Sequence, residues 1–178
     1  MTILETSTQN ADIKIYVADL AAYNAGHLHG VWIDATEDLG DMQNQINAML
    51  KKSPVGFAEE YAVHDYDGFE GCSLYEYEDI ESIHNKALFI EEYGEVGARL
   101  LAHVADNIDE ATRLMEDAYH GEFKSVADYA QDLTESCGDI PEHLAFYIDY
   151  ERMGRDIEIN DIFTIETAHD EIHIFSNS

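Results

Sequence analysis

The order of hydrophobic patterns predicts an α+β protein. Runs with strand character reach from Lys14 to Tyr66, runs with helical period fill the middle from Ile80, and a mixed helix-and-strand unit closes the chain. Segregated rather than alternating α and β segments point to α+β architecture, and such an order can also mean separate small domains. An apolar fraction of 46%, with 11 Tyr, 7 Phe and 1 Trp among 178 residues, supplies a core rather than the composition of a disordered acidic tail.

Each element has its own local signal. The first residues, MTILETSTQNA, are small and polar, and a loose terminus is expected there. KIYVADL (residues 14–20) has the β-branched and aromatic content of a strand, followed by a loop through Tyr23-Asn24-Ala25-Gly26. Val31-Trp32-Ile33 reads as a second strand. Leu39, Met42, Ile46, Met49 and Leu50 fall at helical spacing, with Lys51-Lys52 at the favourable C-terminal end and Ser53-Pro54 and Gly56 as the stop. EYAVHDY (60–66) reads as a third strand leading into the loop DGFEG.

From Asp79 the period changes. Ile80, Ile83, Ala87, Leu88 and Ile90 predict a helix ending at Gly94, and VGARLLAHV (96–104) predicts another. Asp109 is placed to cap a third, EATRLMEDAY, ending at Gly121. Ser125 with Asp128 resembles a capping box for VADYAQDLTESC. Gly138 and Pro141 punctuate a turn before a short helix around HLAFYIDYERMG. Two strands, DIEIND–IFTIET and EIHIFSN, are expected to close the chain.

Charge excludes several functions. The chain has 38 Asp and Glu against 9 Lys and Arg, a net of −29. With no basic patch beyond Lys51-Lys52 and Arg152 with Arg155, direct binding to nucleic acid or to an anionic membrane is not expected. From Glu59 to Glu142 the bases are Lys86, Arg99, Arg113 and Lys124 alone. Carboxylates at helical spacing lie about 5–6 Å apart and repel one another. Any partner should therefore be cationic. No apolar run approaches the roughly 20 residues of a membrane span, and the N-terminus lacks the basic and apolar regions of a signal peptide. Cys72 and Cys137 form no CxxC pair, so two free thiols in a cytoplasmic protein are expected.

Chemical motifs fail one by one. Asp65, Asp67 and Glu76 fit an EF-hand frame, but Phe69 and Glu70 stand where it needs an oxygen ligand and a glycine. His169 and His173 resemble the HExxH pair, but the segment reads as a strand, on which i and i+4 lie ~13 Å apart. All nine histidines are expected at the surface. No nucleophile elbow, P-loop or dinucleotide fingerprint is present. The expectation is no enzyme activity, no cofactor and no metal.

Two readings of the charge remain open from composition. One is an acidic soluble or halophilic protein-interaction module. The other is imitation of a polyphosphate, for which 29 charges correspond to roughly 50 Å of duplex at DNA's linear charge density.

Three blocks add a resemblance. IYVADLAAYNAGHLHGVWIDA (15–35), AVHDYDGFEG (62–71) and GDIPEHLAFYIDYERMGRDIE (138–158) are similar in content and order to the ArdA antirestriction proteins of plasmids and conjugative transposons. The resemblance implies a B-DNA mimic that occupies the DNA-binding groove of type I restriction-modification enzymes and inhibits them. It also implies an elongated homodimer of three small domains per subunit. Here these would be 1–78 (three-stranded sheet plus helix), 79–121 (helical) and 122–178 (α+β, carrying the dimer interface). Leu144, Phe146, Tyr147 and Tyr150 would then have interface or packing roles. The mimic surface is expected from Asp65, Asp67, Glu70, Glu76, Glu78, Asp79, Glu91, Glu92, Glu95, Asp109, Glu110, Glu116 and Asp117.

Overall fold

A computed structural model describes residues 12–177, so the expected loose terminus lies outside the described residues. The protein is α+β, with two small antiparallel sheets and a helical region between them in sequence. By its contacts the chain divides after Ile108 into two compact units.

The first unit is built on a sheet of order β2-β1-β3, with β1 at Lys14–Asp19, β2 at Gly30–Asp34 and β3 at Tyr61–Asp67. Period-2 alternation gives it two faces. Ile15, Val17, Ile33 and Val63 are buried, and Met42, Ile46 and Met49 of α2 (Leu39–Lys51) are buried with them. On the opposite face Tyr16 is paired with Trp32 on one side and Asp65 on the other, and Lys14 with Asp34 and Asp67. Gly30 is required beneath the Tyr16 ring, because a Cβ there would lie 2.6 Å from Tyr16 Cζ. The expected loop after β1 begins as a short helix, α1 (Leu20–Asn24), which Asp19 caps by accepting from Ala22 N at 3.0 Å.

Helix α3 (Ile80–His103) completes this unit. Asp79 is its N-cap, and Gly94, at φ 65° and ψ −150°, breaks it into the two helices that the sequence predicts. His84 Nδ1 bonds the carbonyl of Ala35 at 2.9 Å, tying the helix to the end of β2. Ile83, Ala87, Leu100 and Leu101 are fully buried.

The second unit departs from the expected elements in three places, one being the helix expected around HLAFYIDYERMG, which is split into two helices at Glu142–Ala145 and Tyr150–Asn160. Helix α4 (Ile108–Arg113) does not continue to Tyr119. It passes into a π-helical turn, Leu114–Ala118, and then into strand β4 (Tyr119–Phe123). Tyr119 pairs with Phe175 and Glu122 with His173, so pairing with a strand at the far end of the sequence overrides the local helical pattern. DIEIN, expected as a strand, is instead the end of α7 (Tyr150–Asn160). Its isoleucines alternate like a strand, yet Ile157 packs on the core while Ile159 is exposed, as neighbours two apart on a helix can be. Gly154 lets α7 approach Ala127 and Val126 of α5 (Val126–Cys137), where a Cβ would meet backbone at 3.1 Å.

The second sheet has the order β4-β6-β5, with β5 at Ile162–Ala168 and β6 at Glu171–Ser176. Tyr129, Ile162 and Ile174 form its core, with Phe123, Val126, Ile157 and Ile172 packed around them. The short helix α6 (Glu142–Ala145) buries none of its residues.

Candidate functional site: the acidic surface

The carboxylates picked from the sequence fall into three physical classes. Asp65 and Asp67 project from the exposed face of the first sheet, and Glu70 is exposed on the loop that follows. Glu76 is also exposed, 3.6 Å from His64 Nε2. Asp79 caps α3, accepting from Ser82 N at 3.4 Å, and remains exposed. Glu91 and Glu92 are exposed on α3, and Glu116 and Asp117 on the π-helical turn. Asp109 is exposed in the first turn of α4. None of these exposed acids has a lysine or arginine within ion-pair distance among the described residues.

A second class is paired at the surface. Glu95 accepts from Arg99 at 2.7 Å one helical turn on. Glu110 accepts from Arg113 through both oxygens, at 2.6 and 3.0 Å. That fork of hydrogen bonds, with the guanidinium charge, holds the Glu110 carboxyl below its ordinary range. These pairs spend two of the scarce bases on neighbouring acids rather than on a distant site.

Glu78 forms the third class. Its side chain is only 8% exposed and meets Lys86 Nζ at 2.7 Å. Lys86, itself 2% exposed, reaches Asp106 Oδ2 at 3.1 Å, so one buried ammonium joins two carboxylates. Burial is the largest influence on Glu78 and pushes its pKa up. Hydrogen bonds from Lys86, Ser82 and the Tyr75 N–H outweigh it, so the net direction is down. The same geometry raises Lys86 against its own burial. Cys72, buried nearby, is pushed up to about 11, first by desolvation, and is no ready nucleophile. This cluster holds the loop before α3 to the turn after it.

The candidate interface residues lie together in sequence on α6 and its flanks. Phe146 is 94% and Tyr147 84% exposed, Leu144 is exposed, and Tyr150 is half-buried at the start of α7. Large apolar side chains left this open are a feature of contact surfaces. Periodicity in the sequence identified none of them, because α6 is a single turn.

One group escaped the sequence reading. His173, expected at the surface with the other histidines, is buried at 6% exposure in the second sheet. Tyr119 Oη lies 2.7 Å from its Nδ1 and the Thr167 hydroxyl 3.1 Å from its Nε2. The strand pairing of Glu122 with His173, absent from a helical reading of residues 110–119, was the missing signal.

No helix among the described residues is long and apolar enough to cross a membrane. No curated protein matches the chain. A family model for the antirestriction protein ArdA matches residues 15–171, which takes in the first sheet from Ile15, strands β4 and β5 of the second, the exposed carboxylates of α3 and the open α6 segment. On that match, spanning nearly all 178 residues, the chain belongs to the ArdA antirestriction protein family.

Proposed function

We propose that this protein inhibits type I restriction-modification enzymes by standing in for B-form DNA in their DNA-binding groove. The observation that carries the reading is the excess of exposed carboxylates with no lysine or arginine within ion-pair distance among the described residues, in a family of inhibitors rather than known enzymes. A groove that grips phosphates with Lys and Arg gains the same electrostatic attraction from fixed carboxylates. The surface would comprise Asp65, Asp67, Glu70, Glu76, Asp79, Glu91, Glu92, Asp109, Glu116 and Asp117, with Glu95 and Glu110 partly neutralised by their arginines. Glu78 faces Lys86 and serves the fold in this reading. The protein would act in the cytoplasm as a homodimer through the segment bearing Leu144, Phe146, Tyr147 and Tyr150. The divisions near residues 78 and 121 would separate three modules of that surface.

Competition with duplex DNA for a type I methyltransferase core tests the proposal. The expected result is displacement of DNA at a molar ratio near one dimer per enzyme, weakening steeply as salt is raised. Displacement unaffected by salt, or none at all, would overturn it. The latter would leave an acidic protein-interaction module as the better account.

A further inference from the structure

We propose that Glu122, Glu171 and His173 form a binding site for a first-row divalent metal ion of the zinc class. One ligand atom from each lies within 4.8 Å of the other two. The strand register produces this convergence. Glu122 on β4 sits directly opposite His173 on β6, and Glu171 lies two residues before His173 on the same strand, so all three share one face of the sheet. His169 lies in the exposed turn before β6, away from this face, whereas the cross-strand triad converges.

The donor set selects the ion. An imidazole nitrogen with two carboxylates suits zinc better than calcium or magnesium, which favour oxygen alone. Zinc bonds of about 2.0–2.2 Å require the three donor atoms to close to roughly 3.3–3.5 Å in a tetrahedron. Glu171 Oε1 is already 3.9 Å from His173 Nε2, and Glu122 is exposed and able to swing. The imidazole itself is fixed by burial and by stacking with Tyr119, centroids 5.8 Å apart. With Nε2 turned to the ion, Nδ1–H donates to Tyr119 Oη across the 2.7 Å contact, the outer hydrogen bond that metal-bound histidines usually make. The Thr167 hydroxyl, already in contact with both Glu171 and His173, or a water completes the fourth position.

Two features distinguish this from the diffuse acidity elsewhere. A buried nitrogen donor anchors the cluster, and neither glutamate has a lysine or arginine within ion-pair distance among the described residues. An ion there would tie β4 to β6 and remove repulsion between the two carboxylates.

Zinc titration of the intact chain by calorimetry, in enough salt to suppress diffuse binding, tests the site. The expected result is one zinc per chain, a Tm raised by several degrees at about 100 times Kd and restored by chelator, and at least about ten-fold weaker binding in both Glu122→Gln and Glu171→Gln. Those two variants keep the test decisive if His173→Ala fails to fold. Cobalt(II) in place of zinc should give a four-coordinate spectrum without a thiolate charge-transfer band. Absence of stoichiometric uptake, binding unchanged in the two glutamine variants, or a thiolate band pointing to Cys72 or Cys137 would each overturn the proposal.

Discussion

Helix α3 carries carboxylate chemistry on two faces. Towards the interior, Lys86 meets Glu78 and Asp106 with almost no solvent around it. Towards solvent, Glu91 and Glu92 stand exposed with no basic partner within ion-pair distance among the described residues. In the first setting Lys86 and Glu78 are desolvated, so removing one partner should be strongly destabilising. In the second, water and salt screen each charge, and the side chains can be lost singly at small cost. A chain with so few bases places one where its removal would be least tolerable. The outer acids are left free to face something else.

The largest effect should come from breaking the inner cluster. Lys86→Met leaves the buried Glu78 carboxylate and the partly exposed Asp106 near one another without their cation, and it should cost about 3 kcal/mol. Denaturant midpoints with an unchanged m value would measure it. A loss under about 1 kcal/mol, the range of an exposed pair, would erase the distinction between the two faces.

Acid separates the same faces more gently. The Glu78 pKa is lowered in the folded protein, so its contribution to stability is fully present above the ordinary carboxylate value. It is lost as pH falls through the depressed folded value. Wild type should therefore lose more stability than Glu78→Gln between about pH 6 and about pH 3, the interval bracketing the ordinary carboxylate value of ~4.3. Parallel losses in the two proteins would show that Glu78 contributes no more than its exposed neighbours.

How much of this was legible in the sequence follows from where each signal is stored. Helix α2, the break at Gly94 and strands β1, β2 and β3 were readable, because their patterns are local and agree with the packing. Strand β4 was not, since its partner β6 lies some fifty residues away and YHGEF alternates too weakly to oppose a preceding helical run. The strand-like DIEIN failed for the converse reason, its period of two being an accident on a helix held by the Asp149 cap and the Gly154 contact. Most of the acidic surface could be read as exposed, because Asp and Glu are seldom fully buried unless paired and the chain has few bases to pair them. Glu78 was the exception: its partner Lys86 lies eight residues on, and only the turn before α3 brings them together.

The smallest expected effect is on the outer face. Replacing Glu91 and Glu92 together by glutamine removes two exposed charges from a chain of net charge −29 and leaves the buried contacts of Ile83, Ala87 and Ile90 in place. Stability should change by no more than about 0.5 kcal/mol, towards greater stability because repulsion from neighbouring acids is relieved. If the exposed acids serve a cationic groove, the same variant should compete with DNA slightly less well, and the deficit should shrink as salt is raised. Thermal melts and competition at two salt concentrations give both readings from one preparation. A Tm lowered by several degrees would mean that these carboxylates hold the helix together, placing them with Glu78 rather than opposite it.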